Sequence, residues 1–263
     1  MPLVIDMDHL SAIRTFEIEQ ISKNLVAGQH VLEVGGGNGF QSTILETLCS
    51  KTTSIDVNEH PKKVADVTIY DGKRIPLESG TVDRIFSSNV LEHITDLPLN
   101  LEEMKRVSTD DVIAVHIVPT PAWRVWTTLT HYPALPEIIW TNLRNLRNNN
   151  AKIDQKSTTP EPGNAVGTSP RKKTYFKLKW LFSILVSQRH GERGNRFTEG
   201  FYFTRKSWEK LFNVSGWEVV ETRPLGVFYT GSNVLGKGLS IPTRRVLSKV
   251  FGSATRVFIL KKS

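Results

Sequence analysis

Over the first 120 residues, short apolar runs alternate with amphipathic stretches, and then the alternation stops. Leu10, Ile13, Phe16, Ile18, Ile21 and Leu25 recur at near-helical spacing. They predict an opening helix over residues 9–25, capped by Asp8 and ended by Gly28. Residues 30–34 read as a first strand and 40–49 as a helix. Residues 52–57 are a β-branched second strand ending in Asp56, and 66–70 a third ending at Asp71. A fourth strand spans 83–88, a helix 97–106, and a fifth strand 111–118, stopped by Pro119 and Pro121. Strands separated by helices imply a parallel sheet with crossover connections.

Beyond Pro121 the pattern changes. Residues 122–140 hold Trp123, Trp126 and Trp140, with His131 and Tyr132 between them. Residues 145–173 are polar, rich in Asn, Ser, Thr, Pro and Gly, and read as a loop. Residues 174–187 are apolar with interleaved lysines. They predict a helix whose apolar face packs as a lid or lies on a membrane surface. Residues 188–200 form a Gly/Arg/His-rich loop. Regular structure returns with a helix at 207–214 capped by Ser207, a strand at 217–222, a helix at 242–251 and a last strand at 256–260.

The stretch Val31-Leu32-Glu33-Val34-Gly35-Gly36-Gly37-Asn38-Gly39 is the strongest local signal. An apolar run ends in glycines and a helix-like run follows at once, which reads as strand, tight turn, helix. Such a turn lets a ligand approach the main chain, and the next helix offers unpaired N–H groups and a positive dipole end. The dinucleotide fingerprint G-x-G-x-x-G would need a glycine where Phe40 stands. The glycines fall instead as G-x-G-x-G, with Glu33 two residues before the first.

This turn resembles motif I of the class I S-adenosylmethionine (SAM)-dependent methyltransferases, of the methyltransferase type 11 kind. The likeness extends downstream. Asp56 stands where the family has an acid that binds both ribose hydroxyls. NAD enzymes use the same chemistry there, so Asp56 alone does not discriminate. Asp71-Gly72-Lys73-Arg74-Ile75-Pro76-Leu77 resembles the family's D-A-x-x-L-P-F, in which the Asp and the next N–H meet adenine. The block from Val82 to His93 resembles F-D-x-V-x-S-x-x-V-L-E-H, which underlies the methionine part of SAM. The resemblance implies an α/β, Rossmann-like sheet of seven mostly parallel strands, order 3-2-1-4-5-7-6, with a long insertion after strand five. It implies one domain over 1–263: a SAM-binding half (1–121), a substrate lid (122–200) and a C-terminal completion of the sheet (201–263). The implied cofactor residues are Glu33, Gly35, Gly36, Gly37, Gly39, Asp56, Val57, Asp71, Gly72 and Asn89.

Methyl transfer needs alignment and exclusion of water, with a general base for a hydroxyl or amine nucleophile. His131 and His190 in the insertion and His93 after strand four are the candidate bases. His116 reads as structural, and His9, His30 and His60 as surface residues. In some relatives, among them quinone O-methyltransferases and small-RNA methyltransferases, E-x-x-E-H binds a divalent metal. Here Asn89 replaces the first acid, a weaker ligand for a hard cation, so the sequence predicts no metal.

Charge adds a polarity to this picture. Residues 1–118 hold 10 Lys/Arg against 18 Asp/Glu, a net of −8; residues 119–263 hold 24 against 8, a net of +16. The basic half suits phosphates of nucleic acid, anionic lipid or a nucleotide-linked substrate, with Arg189, Arg193 and Arg196 placed to clamp one. The first expectation is O-methylation of a small-molecule or lipid/nucleotide-linked acceptor, with peripheral contact to an anionic membrane. An RNA methyltransferase and a non-catalytic SAM-binding protein are the alternatives. One cysteine, Cys49, excludes an internal disulfide and points to a reducing, cytoplasmic setting. The first residues do not read as a signal peptide, and no apolar run reaches the roughly 18 residues of a transmembrane helix.

Overall fold

A computed structural model describes residues 7–26, 30–156, 189–195, 197–231 and 238–263. Gly28, Arg196, the helix expected at 174–187 with Trp180, and part of the glycine-rich 230–240 stretch lie outside the described residues.

The elements run α1 (Met7–Leu25), β1 (His30–Val34), α2 (Phe40–Leu48), β2 (Lys51–Asp56), β3 (Thr68–Ile69) and β4 (Val82–Ser88). A 3₁₀ turn (Leu91–His93), α3 (Leu97–Val107), β5 (Ser108–Pro119) and α4 (Pro121–Lys156) follow. After the insertion come α5 (Glu199–Tyr202), α6 (Arg205–Val214), β6 (Trp217–Pro224), α7 (Ile241–Phe251) and β7 (Thr255–Lys262). The strands form one sheet of order β3-β2-β1-β4-β5-β7-β6, as expected from the sequence. The first five are parallel, and β7 lies antiparallel between β5 and β6.

Every residue of β1 is buried, as both faces of a parallel sheet are covered by helices. One layer packs Leu101 and Met104 of α3 with Trp208 and Phe212 of α6 against Ile85 and Ala114 of the sheet. The opposite layer packs Ile18, Ile21 and Leu25 of α1 with Leu45 of α2 against Val31, Phe86 and Val115. A third cluster, with Ile13, Phe16, Trp123, Phe203 and Tyr229, joins α1 to the insertion side.

Four local readings change. The cap of α6 is Thr204, whose side chain accepts from the Ser207 N–H; the helix starts one turn earlier than the Ser207 cap implied. The third strand shrinks to Thr68–Ile69. His30, expected at the surface, is buried: Nδ1 lies 2.9 Å from the Thr81 carbonyl and Nε2 2.8 Å from Thr53 Oγ1. The stretch after Pro121 is one helix reaching Lys156, so residues 145–156 are helical rather than looped. It contains Pro133 and Pro136, a residue type that ordinarily breaks a helix. The face that carries the buried Trp123 and Ala134, three turns apart, packs on the domain and outweighs the bonds the prolines remove.

His116 on β5 is structural, as expected. Its ring is fully buried and stacked on Phe212, with Nδ1 2.8 Å from Ser87 Oγ. Burial pushes its pKa from 6.5 down to about 3. The folded chain therefore refuses a proton that the unfolded chain accepts near 6.5. This contribution to stability is complete above 6.5 and is lost as pH falls toward 3. Denaturant titrations should show wild type losing about 1.4 kcal/mol per pH unit below 6.5 relative to His116→Gln. Parallel pH profiles for the two proteins would contradict that assignment.

Candidate functional site

Strand order reverses between the parallel neighbours β1 and β4, from which the chain runs on to opposite sides of the sheet, to β2 and to β5. Ligands of open parallel sheets bind at the carboxyl ends of such a strand pair. The glycine turn follows β1 there, and Asn89 and the 3₁₀ turn follow β4.

The turn is built from below. Glu33 is 1% exposed, and its Oε2 accepts hydrogen bonds from Ser42 of α2 and Ser54 of β2. Burial pushes the Glu33 carboxyl above its ordinary range, and the two serines pull against that shift. Glu33 thus braces the turn from the interior. Gly35 has φ +81°, and a Cβ there would stand 2.2 Å from Val90 Cγ2, so only glycine lets the turn seat against the segment after β4. Gly37 has φ +56° with no atom within 4 Å of a Cβ position, leaving its main chain open to a ligand. Gly36 fits tightly over Ser54, and Gly39 over Ala65.

Asp56 closes the other side. Its Oδ2 accepts from the Gly37 N–H at 2.8 Å and its Oδ1 from the Asn58 N–H at 3.0 Å. The half-buried carboxylate stands beside the open glycine. Val57, half exposed, presents an apolar face, with Gly72 packed 3.1 Å from it at its Cβ position. Asp71 is fully exposed; the Arg74 and Lys73 N–H groups on its Oδ1 hold its pKa below the ordinary value. Open main-chain N–H groups, the Asp56 carboxylate and the apolar side chain of Val57 lie in sequence along one edge, and this set fits an adenosyl cofactor.

The 3₁₀ turn carries the second half of the site. Asn89 adopts φ +55°, and its Nδ2 donates to Ser88 Oγ at 3.2 Å. The sequence placed Asn89, Glu92 and His93 on one α-helical turn, but the helix begins only at Leu91 and Asn89 stays outside it. His190, far along the chain, takes the third place instead. His190 Nε2 is 3.7 Å and His93 Nε2 3.8 Å from Glu92 Oε1, and the two rings meet edge-on at 4.5 Å. Glu92 is 2% exposed. Burial pushes the His93 pKa down, with Glu92 acting in the other direction.

His190 is delivered by its own loop. The Glu192 N–H donates to the Glu92 carbonyl at 2.7 Å. Glu199, wholly buried, accepts from the His190 and Gly191 N–H groups and pairs with Arg124 of α4 at 2.9 Å. Trp123 packs 4.4 Å from the His190 ring. Arg189 is engaged in this loop by Glu192, and Arg193 lies over the Tyr202 ring, so neither is placed as the sequence suggested for a phosphate clamp. His131 is not part of this group; it packs edge-on against Tyr132, two turns beyond Trp123 on α4.

A buried network missed in the sequence closes the site toward α1. Glu17 Oε1 accepts from Thr255 Oγ1 at 2.7 Å and from the Tyr229 hydroxyl at 3.3 Å, while Arg14 holds Oε2. Glu17 sits between apolar helix positions, and nothing in its spacing marks it out.

Residues 32–115 match the family model described as a methyltransferase domain. Over these residues the chain is similar to methyltransferase domains, and its seven-stranded sheet has the class I methyltransferase fold, whose enzymes take their methyl group from S-adenosylmethionine. No curated protein sequence matches it. Among solved structures, an S-adenosylmethionine-dependent methyltransferase from Listeria monocytogenes is 12% identical, with a TM-score of 0.51 and coverage of 96% of this chain and 99% of that one. A SAM-dependent methyltransferase from Thermotoga maritima is 14% identical, with a TM-score of 0.50 and coverage of 97% and 91%. At these identities the likeness speaks for the fold. Among the described residues no helix is long and apolar enough to cross a membrane.

Proposed function

We propose that this chain methylates an oxygen of a small-molecule or lipid/nucleotide-linked acceptor. The observation that carries the reading is the Glu92–His93–His190 group, which begins two residues after Val90, the residue on which the glycine turn is seated. S-adenosylmethionine supplies a methyl group on a positively charged sulfur and needs little further activation. Asp56 takes the ribose hydroxyls, Val57 with Asp71 and Gly72 takes the adenine, and Gly35, Gly36, Gly37, Gly39 and Asn89 shape the methionine end. Glu33 acts from behind the turn as a positioning residue. His93 and His190 face the acceptor hydroxyl, with Glu92 behind them, and Trp123 keeps water from that side. Trp123 and the loop that carries His190 border the acceptor, and the basic character of residues 119–263 draws an anionic one.

Transfer of labelled methyl groups into cell extract tests this. Label should enter the small-molecule or lipid fraction as an O-methyl group; label in RNA alone would overturn the reading. His190→Ala should lower that incorporation by roughly tenfold, less than a usual general base contributes, because the donor is already activated. Its SAM affinity, read by calorimetry, should stay at the wild-type value.

A further inference from the structure

We propose that Glu92, His93 and His190 form a site for one divalent first-row transition-metal ion on the acceptor side of the cofactor pocket. This deepens the functional reading above and rests on its assignment of that side.

The Glu92 carboxylate is almost wholly buried, and neither oxygen makes a hydrogen bond among the described residues. No lysine or arginine lies within ion-pair distance of it among those residues. A buried carboxylate left this way costs several kcal/mol, so such groups are paired or coordinate metals. The two imidazole nitrogens beside it are too far for hydrogen bonds at 3.7 and 3.8 Å, yet all three ligand atoms lie within 4.8 Å of one another. Ions of this class bond at about 2.0–2.2 Å, so atoms sharing one shell stand no more than about 4.3 Å apart. A small rotation of His93, whose side chain is 42% exposed, closes the difference.

His190 is fixed in place by several independent contacts. The main chain of its loop is bonded to the Glu92 carbonyl, and Gly191 has no room for a Cβ, which would stand 2.8 Å from that oxygen. Glu199 holds two N–H groups of the loop, and Trp123 backs the ring. A residue nearly a hundred positions from Glu92 is thus fixed at it by contacts that leave its Nε2 pointing at the carboxylate.

The donor set selects the ion. Two imidazoles and one carboxylate suit Mn²⁺, Fe²⁺, Co²⁺, Ni²⁺ or Zn²⁺; Ca²⁺ and Mg²⁺ prefer all-oxygen shells. The substitution of Asn89 removes the ligand expected from the sequence pattern, and His190 replaces it with a softer one. Three protein ligands leave at least one position open, which is where an oxygen of the acceptor binds.

The test uses tag-free, full-length protein, freed of metal by chelation and dialysis and titrated with Co²⁺ alone. Calorimetry and the visible absorption of bound Co²⁺ should report one ion per chain. Glu92→Gln and His190→Ala should each weaken binding by at least about tenfold, with His93→Ala as a third variant at a more exposed position. Wild-type protein that binds no Co²⁺, or equal binding by folded Glu92→Gln and His190→Ala proteins, overturns the site. Thermal melts identify the variants that fold. SAM affinity is measured on the same samples, and Asp56→Ala should lose it while keeping Co²⁺. Wild-type protein that binds Co²⁺ but no SAM would count against the cofactor assignment alone, and wild-type protein that binds SAM but no Co²⁺ against the ion alone.

Discussion

Asp56→Ala is expected to weaken binding of S-adenosylmethionine, and of its demethylated product, by more than about a hundredfold. An ionised carboxylate facing a vicinal diol accepts two hydrogen bonds, each contributing roughly 1.5–3 kcal/mol when the acceptor is charged. Water recovers part of that in the unbound state, and a net loss of about 3 kcal/mol corresponds to the stated factor. The substitution also releases the Gly37 and Asn58 N–H groups, which Asp56 holds at 2.8 and 3.0 Å, so the turn loses its clasp as well. Calorimetric titration of both proteins with the cofactor measures the difference. Equal affinity would remove Asp56 from the site and, with it, the placement of the ribose.

Gly35→Ala is expected to lower stability by about 3 kcal/mol, from two separate causes. A φ of +81° costs a residue with a Cβ about 1–2 kcal/mol. The new methyl group would also stand 2.2, 2.7 and 3.0 Å from three atoms of the Val90 side chain, and overpacking of this kind costs about 1–3 kcal/mol. For a chain of this size the melting temperature should fall by roughly 6–12 °C. Val90→Ala in the Gly35→Ala background removes the two closest contacts and leaves the Val90 Cβ at 3.0 Å and the backbone strain, so it should return up to about half of the loss. A double variant no better than the single one would show that Val90 is not what the turn rests on. The same overlap would push apart the ends of β1 and β4, so cofactor binding should weaken alongside stability.

How much of this was legible in the sequence differs from one part to the next. The strands of the cofactor half were legible because each is a short apolar or β-branched run closed by a glycine, an acid, an asparagine or a proline. The positions of the candidate site residues were legible because they sit at strand ends, in fixed order: Gly35 after β1, Asp56 and Val57 at the end of β2, Asp71 after β3, Asn89 after β4. A strand end positions a side chain through local geometry, and local geometry follows local sequence. Helix α4 was not legible, because Pro133 and Pro136 are local signals against it and packing of one face of the helix outweighs them. His30 was misjudged for a related reason: its burial comes from Thr53 and Thr81, neither of them a neighbour in sequence.

The site itself divides along the same line. By itself the sequence determined the sheet, the glycine turn and the acids that follow β2 and β3, since each is a property of a few adjacent residues. Only the tertiary structure decided that His190, rather than Asn89, stands with Glu92 and His93, that Glu33 lies behind the turn, and that Glu17 joins α1 to Tyr229 and Thr255. Those pairings join residues 9 to 238 positions apart. They depend on how layers pack and where buried polar groups find partners, and no short-range periodicity carries that information.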